Sequence, residues 1–236
     1  MTKPNIVISA GRRFEYFNKT VRTFYWNNFL NDFNQVYVLD DRSSNIERVR
    51  MLEVIREIFG KNGHLITFDD DGHFKYVEKF NMIKNLFGDS EYVFLLEDDW
   101  ESVMGLQINK HIDYLNEHTQ VDQIMFSQRF DLQWEETKRE TEINDLYWKN
   151  PFPKRYKHFY EIRDGMYMWQ EVIMNNYGNN PSIFRKRVFE NKYFINDHRW
   201  EMDFADRYAG RIQYMTKDNY FVHIGKNSLV DIIPKP

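Results

Sequence analysis

The sequence predicts an α/β protein whose central sheet is mainly parallel and flanked by helices. Over the first half of its 236 residues, short apolar runs alternate with stretches of helical periodicity. That is the pattern of strands joined by right-handed crossover helices. One run, Tyr92-Val93-Phe94-Leu95-Leu96, is apolar at every position, as in a strand buried on both faces. It passes directly into Glu97-Asp98-Asp99, and the carboxyl ends of strands are where open α/β sheets hold their ligands.

The elements follow in order. Ile6 to Ser9 reads as a first strand, and Ala10-Gly11-Arg12-Arg13 as the turn that ends it. A helical pattern covers Tyr16 to Phe29, and Gln35 to Leu39 reads as a second strand ending at Asp40-Asp41-Arg42-Ser43. Ser44-Asn45-Ile46-Glu47 has the form of a capping box, with Ser and Glu three residues apart. It opens a helix to Phe59 with Met51, Val54, Ile55 and Ile58 at helical spacing, stopped by Gly60 and Gly63. Leu65 to Phe68 is a third strand running into Asp69-Asp70-Asp71, and Phe74 to Phe87 is a helix that Gly88 ends. After the Tyr92 strand, a helix is expected from Val103 to Asn116 and a strand from Gln123 to Ser127. Periodicity is weak from Gln128 to Asn180, where Pro151 and Pro153 interrupt any helix. Regular pieces return at Ser182 to Phe189, Asp203 to Tyr208 and a last strand, Tyr220 to Ile224.

Composition narrows the function classes. Hydrophobic residues make up 42% of the chain, enough for a sizeable core in one domain. With no cysteine, thiolate metal sites and cysteine nucleophiles are excluded. The net charge of −4 argues against a surface-wide nucleic-acid footprint. No apolar stretch approaches the roughly 20 residues of a membrane span, and no signal-peptide pattern precedes the first strand. A soluble, cytoplasmic protein is the expectation.

Three adjacent carboxylates repel one another, and a hard divalent cation such as Mg²⁺ or Mn²⁺ offsets that repulsion. The alternative for Glu97-Asp98-Asp99 is a solvated acidic turn.

Four segments, in this order, resemble the GT-A-fold glycosyltransferases of the family 2 type. Ile6 to Phe17 resembles the opening strand and Asn-Arg turn, with Gly11-Arg12-Arg13 in place of Asn-Arg. Asp40-Asp41-Arg42-Ser43 resembles Asp-Asp-x-Ser, Glu97-Asp98-Asp99 a Glu-Asp-Asp variant of the DxD motif, and His223-Ile224-Gly225-Lys226 a His-x-Gly motif. The resemblance implies a single GT-A (nucleotide-diphospho-sugar transferase) domain over 1–236. Residues 1–127 would bind the nucleotide sugar. Residues 128–236 would bind the acceptor, with an irregular insertion at 128–180.

The resemblance also implies roles. Ser9, Arg13, Asp40, Asp41, Glu97, Asp98 and Lys226 would hold the nucleotide-diphosphate sugar donor, expected to be a UDP-sugar. Asp99 and His223 would ligate Mn²⁺ or Mg²⁺. Trp200 to Arg207 resembles the family's Glu-Asp-x-Asp-Leu-x-x-Arg stretch, which places Glu201 as the base of an inverting hexosyl- or pentosyltransferase, with Asp203 as the fallback. Each residue has a structural alternative. Asp98 would cap a helix, His223 would fill a core or hinge, Lys226 would be a surface lysine, and Arg13 would make a salt bridge. Of the two aspartates at the second strand end, Asp40 is the favoured functional one. Glu201 and Asp203 would merely enrich a helix N-terminus in acid.

Tyr147 to Trp169 holds eight aromatic residues and five Lys or Arg against two acids. Such a segment suits a glycan acceptor or a modified nucleic acid such as a hydroxylated nucleobase, or simply a packed lid. Asn179-Asn180-Pro181-Ser182 resembles the turn before the family's acceptor-side strand. Two other classes stay open: a metal-dependent nuclease or phosphatase that adds Asp69 and Asp71 to the acidic run, and a non-catalytic glycan- or nucleotide-binding module.

Overall fold

A computed structural model describes residues 2–68, 75–126, 160–163, 167–170, 181–190, 212–216 and 218–225. The first half contains β1 (Asn5–Ala10), α1 (Phe14–Asn27), β2 (Val36–Asp41), α2 (Asn45–Phe59), β3 (Gly63–Phe68), α3 (Tyr76–Ile83), β4 (Tyr92–Glu97), β5 (Trp100–Ser102), α4 (Ile108–Glu117) and β6 (Val121–Met125). Then come β7 (Tyr160–Arg163), β8 (Tyr167–Gln170), β9 (Ser182–Arg185), β10 (Ile212–Thr216) and β11 (Phe221–His223). Nine strands form one sheet in the order β3-β2-β1-β4-β9-β6-β10-β8-β7. Strands β3, β2, β1 and β4 run parallel. Only β9 and β8 point the other way among the nine. The mainly parallel α/β sheet expected from the sequence is therefore present, with helices on both faces.

Strand periodicity decides which side chains meet which helices. Ile6 and Ile8 of β1, Val36 and Val38 of β2, and Phe94 and Leu96 of β4 pack with Phe17, Val21 and Phe24 of α1 and Met51 and Ile55 of α2. Their neighbours Val7, Leu39, Val93 and Leu95 face the other way, onto Val77, Phe80 and Ile83 of α3 and onto Phe184 and Phe189. The apolar run of β4 is thus buried on both sides. Ala10 pairs with Asp40 and Ser9 with Glu97, so the three strands end flush and turn their loops out at one sheet edge.

Capping and turn chemistry fix α2. Ser44 accepts the Glu47 amide at 3.3 Å while Glu47 Oε2 accepts the Ser44 amide at 2.9 Å, a complete capping box. Gly60 closes the helix at φ 58°, a conformation that glycine adopts without steric cost.

Several expected boundaries shift. α1 begins at Phe14 and stops at Asn27, leaving Phe29 outside it and exposed. The described part of the α3 helix is shorter than 74–87, running Tyr76–Ile83. The helix expected from Val103 begins at Ile108 instead. The preceding stretch is committed elsewhere: Asn27 donates to the Ser102 carbonyl at 2.7 Å and Asn28 accepts the Leu106 amide at 2.8 Å, holding the chain extended against the end of α1. The last strand, Phe221–His223, does not join the large sheet. It pairs antiparallel with β5 as a two-stranded ribbon, His223 opposite Trp100. Among the described residues no helix is long and apolar enough to cross a membrane.

His111 of α4 is buried, its ring edge-on to Phe126 and near Tyr220. Burial, helped by the Lys110 charge, lowers its pKa to about 4 from 6.5. The unfolded chain therefore takes up this proton at higher pH than the folded one. The stability that His111 supplies is complete above pH 6.5 and is lost as pH falls toward 4, about 3 kcal/mol in all. His111→Phe is expected to flatten the stability profile across that window in urea unfolding at stepped pH. An unchanged slope would contradict the assignment.

Candidate active site

Period-two alternation carries past the strands into the site. Ser9 follows Val7, Asp41 follows Leu39 and Glu97 follows Leu95, so all three point to the α3 side of the sheet edge. They line a small cleft with Ala10, Gly11, Arg13, Lys79 and Asp98. Asp40 lies on the opposite face, where Arg48 of α2 donates to its Oδ2 at 2.7 Å. The geometry puts Asp41, rather than Asp40, in the cleft.

Asp98 is fully buried and held from several sides. Its Oδ2 accepts the Gly11 amide at 3.0 Å, its Oδ1 takes Arg13 Nη2, and its carbonyl accepts the Thr20 hydroxyl at 2.8 Å. Its own amide donates to the Ser9 carbonyl at 3.0 Å. Gly11 is required here, because a side chain at that position would run into the Asp41 carbonyl. The next residue, Arg12, and Arg42 at the end of β2 both have left-handed backbones, at φ 49° and 69°. Such outliers at non-glycine residues are uncommon and cluster at working sites. The Arg12 amide donates to Ser43 Oγ at 2.9 Å and its Nε donates to the Arg42 carbonyl at 2.9 Å, stitching the two loops together.

Asp99 turns the other way. Its Oδ2 accepts Arg13 Nη1 at 2.6 Å and lies 3.2 Å from His223 Nε2. Its carbonyl accepts the Ile224 amide at 2.8 Å, which continues the β5–β11 ribbon. The ribbon is thus what brings His223 across 124 residues of sequence to Asp99. A Cβ on Gly225 would stand 2.5 Å from Asp99 Oδ2 and 3.1 Å from the His223 ring, so only glycine lets the backbone pass this close to both side chains. Among the described residues, Asp99 Oδ1 is buried with no hydrogen-bond partner, and so is Asp41 Oδ1. Glu97 Oε2 accepts the Trp100 indole N–H at 3.4 Å, and Trp100 meets the His223 ring edge-on.

Lys79 is a functional candidate that the sequence reading passed over. It lies on α3, is 4% exposed, donates to Ser9 Oγ at 3.0 Å and sits 3.8 Å from Asp41 Oδ2. The available signal was its position beside Phe80 on a helix whose Val77, Phe80 and Ile83 face inward. A lysine on that border is unusual, since buried lysines need charge partners.

The charges reshape one another. Burial lowers the Lys79 pKa against the pull of Asp41, Asp98, Glu97 and Asp40. Burial raises Asp41 and pushes Asp98 up to about 7, opposed chiefly by Lys79 and Arg13 respectively. At Asp99 burial works upward, but the His223 hydrogen bond and the Arg13 charge outweigh it and the pKa falls. At Arg13 burial works downward, and Asp98 with Asp99 outweighs it, so the guanidinium stays charged. Contact with Arg13 works toward the ionised form at both aspartates; it prevails at Asp99, while at Asp98 burial outweighs it.

Among the described residues no group of three or more His, Cys, Asp or Glu side chains converges as a metal site. The pair Asp99 and His223, with one buried carboxylate oxygen that takes no hydrogen bond among the described residues, nonetheless fits a hard cation. Mg²⁺-type ions usually take one or two protein ligands and complete their shell with substrate phosphates and water. Glu201, Asp203 and Lys226 lie outside the described residues, as do Asp69, Asp71, Arg207, Asn179, Asn180 and most of the 128–180 stretch.

The sheet order, the flush strand ends and the acidic edge define a GT-A type of fold. Solved structures share it. TarS 1–349 from S. aureus in complex with UDP-GlcNAc matches over 96% of this chain with a TM-score of 0.59 at 14% identity, and this chain spans 60% of it. TarS 1–349 in complex with UDP matches over 93% at a TM-score of 0.58 and 13% identity, again with 60% of that chain spanned. Against S. aureus TarS itself the values are 95%, 0.58 and 13%, and this chain spans 37% of it. At these identities the likeness is one of fold. No protein-family model and no curated protein matches the sequence.

Lys79→Met would leave Asp41 and Asp98 buried without their lysine. Breaking a buried ion pair from one side costs about 3 kcal/mol or more, and a loss of that size is expected in denaturant unfolding. Stability equal to that of the parent would show that Lys79 does not neutralise this edge.

Proposed function

We propose that this chain is a glycosyltransferase that moves a sugar from a nucleotide-diphosphate donor, a UDP-sugar, to an acceptor hydroxyl with inversion. One juxtaposition carries the proposal. Ser9, Gly11, Arg13, Asp41, Lys79 and Glu97 border one cleft at the carboxyl ends of β1, β2 and β4. They do so on the fold of a protein whose structures include UDP and UDP-GlcNAc complexes.

The residues suit the parts of such a donor. Asp41, with an unused buried oxygen, accepts a bond from the ribose or the base, as acids at strand ends do in nucleotide sites. Lys79 and Arg13 supply positive charge for the diphosphate, Arg13 through a planar fork that matches phosphate oxygens. Asp99 and His223 would hold Mn²⁺ or Mg²⁺, which neutralises the charge that grows on the leaving diphosphate. Glu97, fixed by Trp100, orients the ribose. Lys226, one residue beyond Gly225, meets a phosphate. Glu201, with Asp203 as the alternative, takes the proton of the attacking hydroxyl on the face opposite the leaving group. The acceptor is a hydroxyl on a glycan or a hydroxylated nucleobase, read by the aromatic, basic segment Tyr147 to Trp169.

Release of free UDP from UDP-sugars in the presence of Mn²⁺ tests this. One donor is expected to be hydrolysed well above background. Asp99→Asn is expected to lower that rate by about 100-fold or more, the scale of losing a group that stabilises transition-state charge. Equal rates for the parent and Asp99→Asn, or no response to any UDP-sugar, would contradict the proposal.

A further inference from the structure

Arg13 occupies an unusual position for a residue expected to grip a diphosphate. It lies between the end of β1 and the start of α1, where its carbonyl accepts the Phe17 amide at 3.0 Å. Its guanidinium is turned onto the acidic edge, Nη2 on Asp98 and Nη1 on Asp99 at 2.6 Å. All three side chains are at least nine-tenths buried. The two carboxylates are not equivalent. Asp98 has both oxygens engaged, one by Gly11 and one by Arg13. Asp99 has its Oδ2 shared between Arg13 and His223 while its buried Oδ1 takes no bond among the described residues. Asp98 is thus an anchor and Asp99 a carboxylate with unfilled capacity.

We infer that Arg13 is a resident counter-cation of the Asp98–Asp99 pair, one that holds Asp99 against a divalent ion until a diphosphate draws the guanidinium away. This rests on the proposal that Asp99 and His223 form a cation site. Two positive charges compete for one carboxylate: with Nη1 on Oδ2, a divalent ion at Asp99 meets a fixed charge of its own sign. The cleft that Arg13 lines also receives the nucleotide, and a diphosphate offers the guanidinium fork a bidentate partner of higher charge. Arg13 keeps its Asp98 anchor and exchanges only its Asp99 contact. Nucleotide binding then frees Asp99, and by linkage each ligand strengthens the other by the same factor.

Cation bridging of the phosphates alone would also couple the two ligands, so the discriminating measurement is made without nucleotide. Free Mn²⁺ is followed by electron paramagnetic resonance during titration of the parent, Arg13→Gln and Arg13→Lys, each with and without UDP. The parent is expected to bind Mn²⁺ weakly alone and at least about tenfold more tightly with UDP, within the usual range of coupling. Arg13→Gln is expected to bind Mn²⁺ alone about tenfold more tightly than the parent, and UDP without Mn²⁺ more weakly. Arg13→Lys keeps a charge for buried Asp98 but cannot span both carboxylates. It is expected to fall between the two, and it carries the test should Arg13→Gln fail to fold. If UDP strengthens Mn²⁺ binding in the parent while neither variant binds Mn²⁺ alone more tightly, the counter-cation role is overturned and the cation site stands. If no protein takes up Mn²⁺ even with UDP, the cation site itself is overturned, and this role falls with it.

Discussion

Carboxylates at the end of a doubly buried strand cannot be held there without fixed positive charge. Asp98 and Asp99 follow an apolar run that both sheet faces cover, and Asp40 and Asp41 end the strand two places away in the same sheet. All four are buried. Isolated buried carboxylates cost several kcal/mol each even after relaxation, so every one of them is matched: Asp40 by Arg48, Asp41 by Lys79, Asp98 and Asp99 by Arg13. The elements that deliver these cations are the turn after β1, α2 and α3. The crossover helices therefore do more than cover the sheet. They set a charge-balanced edge in which, among the described residues, Asp40 Oδ1, Asp41 Oδ1 and Asp99 Oδ1 keep unused hydrogen-bonding capacity, and Asp41 lines the cleft.

The β5–β11 ribbon is the second structural requirement. Asp99 stands immediately before β5, and β11 ends at His223. Pairing these short strands places an imidazole beside a carboxylate far away in sequence. Gly225 lets the chain pack directly against both. A ribbon separate from the main sheet can hold this geometry without altering the register of β4, on which the rest of the acidic edge depends.

Much of the fold was legible in the sequence because its signals are local. The both-faces-apolar pattern of Tyr92 to Leu96, the Ser44–Glu47 capping box and the helical spacing of Met51, Val54 and Ile55 each encode one element. The helix misplaced at Val103 was not legible. Its start is displaced by hydrogen bonds from Asn27 and Asn28, which come from a distant helix end. The ribbon was hidden for the same reason, since a three-residue strand carries no periodic signal of its own. The site was legible as a set of strand-end acids but less so in its parts. Asp40 drew attention as a nucleotide ligand, although counting alternate positions from Leu39 would have placed Asp41 on the α3 face with Ser9 and Glu97. Lys79 was overlooked because a lysine in an amphipathic helix ordinarily faces solvent. Glu201, Asp203 and Lys226 lie outside the described residues, and the sequence resemblance alone speaks for them.

The central claim is that the acidic end of β4, balanced by Arg13 and joined by His223, is where a nucleotide diphosphate and a divalent ion meet. The most direct measurement is anomalous scattering from crystals of the chain grown with UDP and Mn²⁺. The account predicts a manganese peak within coordination distance of Asp99 and His223, with the diphosphate against it and the base toward Asp41. A manganese peak and nucleotide located away from Asp99, with Arg13 still bridging Asp98 and Asp99, would contradict it.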